Sequence, residues 1–186
     1  MTRLVLIDRD GTLNVEQNYL SAPDQIELIP QSADGIRILR NLDLRIVVVT
    51  NQSGIGRGFF DAARLVEIHN RLREVLRENG TNVDAIYFCP HAPEDKCNCR
   101  KPMPGMAKRA ATEFNADLSK SFVIGDNVCD IELGKNIGAT TILVRTGYGK
   151  MTETESETKP DYIAGNLFEA ARLIKEILEK DGISTE

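Results

Sequence analysis

The sequence predicts an α/β fold, a Rossmann-like doubly wound parallel sheet with flanking helices. Three observations predict it. Short apolar runs rich in Val and Ile alternate along the chain with helical patterns, the order of a parallel sheet covered by helices. Two runs, RIVVVT from Arg45 and TILVR from Thr141, are continuously apolar, as strands buried on both faces read. Polar motifs follow the runs, and sites in such sheets form outside the carboxyl ends of the strands. That rule places Asp8, Thr50 and Gly125-Asp126 on one rim.

The elements follow in order. Strands are expected at Leu4–Ile7, Arg45–Thr50, Ala85–Phe88, Ser121–Ile124 and Thr141–Val144, with a weaker one at Tyr162–Ala164. Ser32–Leu42, Asp61–Asn79 and Pro104–Phe114 have helical spacing. In the second of these Leu65, Ile68, Leu72 and Leu76 mark one face, and Gly80 suits the position after the last turn. Pro104 sits where a helix can begin. Asn166 followed by Glu169 resembles a capping box, and Leu167, Ala170, Leu173, Ile174, Ile177 and Leu178 then supply a core face. Lys150–Pro160 (KMTETESETKP) reads as a polar surface loop. His69 reads as a helix-surface residue and Cys129 as a small buried residue at a helix start.

A chain of 186 residues is enough for one domain with a proper core, so residues 1–186 are expected to form a single domain. The formal net charge of −5 argues against a basic surface for nucleic acid or membrane. No apolar run approaches the ~20 residues a membrane span needs. Met1-Thr2-Arg3 leads straight into the first strand, so a cytoplasmic location is expected, with reduced cysteines that serve metal binding or packing.

The first apolar run, LVLI, ends in DRDGT. Strand side chains alternate, so Asp8 and Asp10 leave the strand on roughly the same side. Two like charges that close repel unless a cation lies between them. Further strand ends give TNQSG (Thr50–Gly54) and GDNVCD (Gly125–Asp130), and RKP (Arg100–Pro102) precedes a helix. A phosphoryl group needs these parts: a nucleophile, hydroxyl and ammonium donors, and a hard cation.

Four motifs in this order resemble the haloacid dehalogenase (HAD) superfamily of phosphatases over nearly the whole chain. The resemblance implies roles. Asp8 is then the nucleophile that forms an aspartyl-phosphate, and Asp10 the acid and base for the leaving alcohol and the attacking water. Magnesium sits among the Asp8 carboxylate, the Asp10 backbone carbonyl and Asp126, which leaves the Asp10 side chain free to carry a proton. Thr50 and Lys101 hold the phosphoryl oxygens. Gly11 permits the turn after the strand and Thr12 fixes that loop. Asp130 either holds the metal's water shell or marks the start of the next helix.

Residues 89–102 read CPHAPEDKCNCRKP. Cys89, His91, Cys97 and Cys99 form two tight pairs joined by a short loop, the donor set of a tetrahedral zinc shell. Four protein ligands leave no open position, so this zinc is structural. An iron–sulfur cluster is the rarer reading with a histidine ligand. The loop runs directly into Arg100-Lys101, so zinc would fix the phosphate-binding lysine.

Asn14–Leu44 has room for a loop and one helix, and Gly54–Arg100 for one helix, one strand and the zinc loop. The chain therefore reads as a capless HAD fold with an open site shaped by three loops. Capless DRDGT enzymes with this zinc loop include the D-glycero-D-manno-heptose 1,7-bisphosphate 7-phosphatase family and histidinol-phosphate phosphatases. DRDGTLNVEQNYL, VVVTNQSGIGRG, IYFCPH and CNCRKPMPGM resemble the heptose family throughout. That resemblance implies substrate contacts from Glu16, Gln17, Asn18 and Tyr19, from Thr50, Asn51, Gln52 and Ser53, and from Arg100 at the second phosphate. Asn127 stands where the family often has a lysine. Arg57 and Arg100 offer a second positive rim for a small phosphorylated sugar. Histidinol phosphate would instead call for acidic partners such as Glu16. A module that has lost turnover is a third reading, against which the intact acidic pair, threonine and lysine argue. A monomer is expected.

Overall fold

The structure is a computed structural model that describes residues 2–180 and Gly182, so Met1 and the last residues of the expected 1–186 unit lie outside the described residues. The elements run β1 (Leu4–Ile7), α1 (Ser32–Arg40), β2 (Arg45–Asn51), α2 (Ser53–Gly56), α3 (Ala62–Glu78), β3 (Ala85–Cys89), α4 (Gly105–Phe114), β4 (Phe122–Gly125), α5 (Val128–Ile137), β5 (Thr140–Val144), α6 (Gly149–Glu155), β6 (Tyr162–Ala164) and α7 (Leu167–Lys180). The strands form one six-stranded sheet in the order β3-β2-β1-β4-β5-β6, and every pairing is parallel. This is the doubly wound order. The chain leaves β1 toward β2 and β3, then returns to place β4 on the other side of β1. The switch point lies between β1 and β4, with Asp8 and Asp126 just beyond their ends.

Period-two alternation divides the strands between two layers. Val5, Ile7, Ile46, Val48 and Ile124 pack with Ile36 and Leu39 of α1, Leu72 and Leu76 of α3, and the apolar stripe of α7. Leu4, Leu6, Val47, Val49 and Val123 pack with Met106, Ala107 and Ala110 of α4 and Leu133 of α5. Each fully buried Val, Leu or Ile contributes roughly 1.5–3 kcal/mol of apolar burial. Gly35 lets α1 meet the start of α7 backbone to side: a Cβ there would lie 3.0 Å from the Leu167 carbonyl oxygen.

Several expectations are corrected. The fourth strand runs from Phe122 to Gly125, one residue later than expected, because Ser121 uses its hydroxyl instead: it accepts from Leu4 N (3.0 Å) and donates to the Asp117 carbonyl (2.7 Å). Part of the expected loop at Lys150–Pro160 is helix α6. Its sequence is polar all round and shows no apolar face, yet Thr152 donates to the Asp126 carbonyl (2.9 Å) and Glu153 pairs with Arg145 (2.7 Å). The Asn166 side chain accepts from Glu169 N at 3.0 Å as expected, but Glu169 reaches back to Gly165 N (2.7 Å), one residue before the expected partner. His69 is buried, 8% exposed, and Cys129 is only half-buried. Between β1 and β2 the chain holds one 3-10 turn (Pro23–Gln25) and α1, and between β2 and β3 only α2 and α3, so no insertion covers the rim.

Candidate active site

The rim at the carboxyl end of the sheet holds a cavity of about 390 Å³. Asp8, Asp10, Thr50, Asn51, Gln52, Ser53, Arg100, Lys101, Asp126 and Asn127 line it, with Glu16, Asn18 and Tyr19. The motifs separated in sequence by as much as 118 residues therefore meet at one place, as their positions after strand ends require.

β1 is pinned at its end by Asp8 N donating to the Ile124 carbonyl of β4 (2.9 Å). Asp8 Oδ1 accepts from Lys101 Nζ at 2.8 Å, and the same ammonium reaches Asp130 Oδ1 at 2.6 Å. Oxygens of Asp8, Asp126 and Asp130 lie within 4.8 Å of one another. Burial pushes the Asp8 carboxyl well up, and Asp130 and Asp126 add to it, against the pull of Lys101. Burial and Asp130 push Asp126 up to about 7. For Lys101, burial works against the charge, but Asp130 and Asp8 outweigh it and hold the ammonium above its usual range. Three carboxylates around one ammonium leave an uncompensated negative site of hard oxygen donors. That donor set fits magnesium.

The loop after β1 is shaped to that acidic site. Gly11 has φ +79°, and a Cβ there would run into the Asp126 carboxylate. Thr12 donates to Asp126 Oδ1 (3.2 Å) and Tyr148 N donates to its Oδ2 (2.7 Å), so Asp126 is aimed from both sides. Asp130 serves both expected purposes at once. It binds Lys101, and its Oδ2 accepts from Asn127 N (3.1 Å) in the capping box of α5. The Asn127 side chain accepts from Cys129 N (3.4 Å).

Asn51 fixes the lysine's backbone: its Oδ1 accepts from Lys101 N (2.9 Å) and its Nδ2 donates to the Lys101 carbonyl (3.2 Å). Gln52 is also committed to the framework, donating to Thr50 Oγ1 (2.8 Å) and Asp10 Oδ2 (3.0 Å) and accepting from Arg9 (3.2 Å). Gln17 is turned away from the cavity to donate to the Gln25 carbonyl (3.2 Å). Arg57 is exposed and is not among the lining residues, which leaves Arg100 as the second cation there.

The Asp10 side chain is held more tightly than its place in the motif announces. Burial pushes its carboxyl up, but the Arg9 guanidinium and hydrogen bonds from Arg9, Asn14 and Gln52 win and hold it below its usual range. Arg9 had no assigned role, yet it is fully buried and grips Asp10 through Nε and Nη2. Strand alternation was the available signal: if Asp8 and Asp10 face the rim, Arg9 points into the protein. Glu16 sits at the cavity's edge, raised by burial and by the charge of Asp10. Three aromatics at the mouth are exposed: Tyr19 packs edge-on against Phe59 (ring centroids 4.8 Å), and the Tyr148 hydroxyl donates to Asn18 Oδ1 (3.1 Å).

The second metal candidate lies beside the first. Ligand atoms of Cys89, His91, Cys97 and Cys99 lie within 4.8 Å of one another, with contacts between them of 3.2–3.5 Å. A tetrahedral metal bonded to sulfur at about 2.3 Å separates its ligand atoms by about 3.5–3.8 Å. The loop fits such an ion with small outward shifts. Arg100 N donates to Cys97 Sγ (3.4 Å) and its guanidinium to the His91 carbonyl (3.3 Å), so the cluster and Arg100 are one unit.

The comparisons agree with this geometry. A family model described as HAD-hydrolase-like matches residues 98–170. A D-glycero-beta-D-manno-heptose-1,7-bisphosphate 7-phosphatase of Pseudomonas aeruginosa is 40% identical over 150 residues, covering 80% of this chain and 84% of that protein. The enzyme of the same name from Yersinia pestis is 37% identical over 180 residues, covering 92% and 94%. A crystal structure of D,D-heptose 1,7-bisphosphate phosphatase from B. bronchiseptica, complexed with magnesium and phosphate, superposes with a TM-score of 0.89 at 34% identity, covering 95% of this chain and 99% of that one. Sheet order, rim motifs and these relatives converge, and the chain belongs to the D-glycero-D-manno-heptose 1,7-bisphosphate 7-phosphatase family of HAD-like hydrolases.

Proposed function

We propose that this protein is a phosphoric monoester hydrolase that removes the 7-phosphate of D-glycero-D-manno-heptose 1,7-bisphosphate through an aspartyl-phosphate on Asp8. The observation that carries the reading is the placement of Asp8 at the switch point, 2.8 Å from a buried ammonium and beside two further carboxylates. Asp8 Oδ attacks phosphorus and the P–O bond to the sugar breaks. Lys101 and Thr50 hold the phosphoryl oxygens, and Asp10, which takes up a proton from solvent when the substrate's anionic charge enters the rim, gives it to the departing sugar oxygen. Asp10 then takes a proton from the water that attacks the acyl phosphate, which frees inorganic phosphate and restores Asp8. Asp8, the Asp10 carbonyl and Asp126 would hold magnesium, which when bound neutralises charge on the transferring group. The relative complexed with magnesium and phosphate supports that assignment.

Arg100, Asn127 and the Glu16–Tyr19 loop supply contacts for the sugar and its first phosphate, and a cavity of about 390 Å³ suits so small a ligand. The Pseudomonas aeruginosa and Yersinia pestis relatives are named for the β anomer, which supports that anomer as the substrate here. Glu16, the acidic partner that histidinol phosphate would call for, does line the cavity, but so does Arg100, which suits a second phosphate, and none of these relatives is named for histidinol phosphate. Structural zinc in the Cys89–Cys99 loop is supported by the donor set. The same reading takes the protein to be a monomer in a reducing, cytoplasmic setting, where Cys89, Cys97 and Cys99 stay available as thiolate ligands. Among the described residues no helix is long and apolar enough to cross a membrane.

The test is phosphate release from both anomers of the bisphosphate and from histidinol phosphate, with magnesium, by wild type and Asp8→Asn. The β heptose bisphosphate is expected to have the highest kcat/KM, and Asp8→Asn is expected to abolish turnover. Preference for histidinol phosphate overturns the substrate; turnover by the variant overturns the mechanism.

A further inference from the structure

Behind Asp10 lies a buried polar chain that none of the motif assignments uses. His69, on α3, faces the first strand end across 60 residues of sequence, and its Nε2 lies 3.2 Å from Arg9 Nη1. A guanidinium only donates, so Nε2 must be the unprotonated acceptor. Arg9 in turn donates from Nε to Asp10 Oδ1 (3.0 Å) and from Nη2 to Asp10 Oδ2 (2.7 Å), a two-pronged grip on the carboxylate. The third prong is the one His69 holds. Gln52 Oε1 takes a further Nη2 hydrogen (3.2 Å), and Phe88 packs beside the imidazole at a ring-centroid distance of 5.9 Å. Arg9 is 0% exposed and His69 8% exposed, so the pair is largely shielded from water. The Asp10 carboxylate, by contrast, keeps one edge in the cavity.

We infer that Arg9 and His69 are positioning residues for the leaving-group step: His69 anchors Arg9, and Arg9 holds the Asp10 carboxyl aimed at the departing sugar oxygen. This rests on the reading of Asp10 as the acid proposed above. Neither residue touches substrate. The fork of Arg9 fixes the plane of the carboxyl group, and a lysine in its place has no second prong to do so. Without the imidazole acceptor, one arm of the guanidinium is left buried and unpaired and is free to pull the fork out of register.

The experiment exploits the leaving group. An alkyl phosphate such as the sugar ester needs a proton on its departing oxygen, whereas p-nitrophenyl phosphate releases a stable aryloxide without one. The quantity to compare is kcat/KM, which reports steps only through departure of the alcohol. His69→Leu and Arg9→Lys are expected to lower kcat/KM for the sugar ester about tenfold or more and for the aryl ester by less than about threefold. The inhibition constant of the sugar product is expected to stay unchanged, and His69→Gln, which keeps an acceptor, to restore most of the loss. Equal losses on both esters, no loss on either, or a weakened product complex that accounts for the sugar-specific loss overturn the inference. Asp10→Asn is the control: if it fails to separate the two esters, the reading of Asp10 fails, and if it separates them while the other variants do not, only the inference fails. Urea midpoints confirm folding, and Arg9→Lys decides the question alone if His69→Leu does not fold.

Discussion

Lys101 Nζ lies 2.8 Å from Asp8 Oδ1 although the two residues come from opposite sides of the zinc-candidate loop and are 93 positions apart. The side chain of Lys101 is 1% exposed, so its charge acts at low dielectric and is not screened by water. Lys101→Met is therefore expected to lower kcat about 10²–10³-fold in steady-state assays, the scale of losing one preorganised charge at a transition state. A loss below tenfold would mean that the ammonium merely balances Asp130.

Asn51 grips the backbone of Lys101 at 2.9 and 3.2 Å. Asn51→Ala removes both bonds while leaving every charge in place. We expect kcat to fall about tenfold, with a stability loss of about 1–3 kcal/mol from the unpaired buried groups, read from urea unfolding.

The four ligand atoms of Cys89, His91, Cys97 and Cys99 lead directly into Arg100, whose amide donates to Cys97 Sγ at 3.4 Å. Elemental analysis is expected to find one zinc per chain, and none in Cys97→Ser. That variant should melt at least about 5 °C lower, since each kcal/mol shifts Tm by about 2–4 °C at this size. Its activity should fall with its stability. Full activity in zinc-free protein would break the link between the loop and the lysine.

His69 is a marker for acid stability. Burial, and then the charge of Arg9, push its pKa down from 6.5 to about 3. Between those values the unfolded chain binds a proton that the folded chain refuses, so this contribution is fully present above 6.5 and is lost as pH falls toward 3. Urea unfolding of wild type from pH 7 to pH 5, against His69→Gln, should show the wild type losing more stability on acidification, by at most about 1.4 kcal/mol per pH unit. Parallel pH dependences would mean that the imidazole is protonated in the fold.

Gly35 allows α1 to touch the start of α7, where an added Cβ would sit 3.0 Å from the Leu167 carbonyl oxygen. Gly35→Val should cost about 1–3 kcal/mol of stability by overpacking, without changing KM, because the contact is remote from the rim. Thermal unfolding and steady-state kinetics on the same preparation decide it.

The sequence by itself determined the layers and the rim. Short, β-branched apolar runs such as IVVV read as strands buried on both faces, and the residues that follow such strands lie at one edge of a parallel sheet. That places Asp8, Thr50 and Asp126 together without any knowledge of their distances, and tight Cys/His spacing brings four ligands together through local chain geometry alone. Tertiary structure decided what depends on contacts between distant elements. His69 has the same helical phase whether it meets solvent or Arg9, and only the packing of α3 against β1 makes it a buried acceptor. Helix α6 has no apolar face to announce it and is held by Thr152 and Glu153, whose partners come from elsewhere in the fold. The grip on the Asp10 carboxyl was decided in the same way, since Gln52 and, through Arg9, His69 reach it only once the chain has folded. Periodicity records which face of an element is apolar. It carries no record of which buried polar group across the interface completes a hydrogen bond, and it is those bonds that set the charges at the rim.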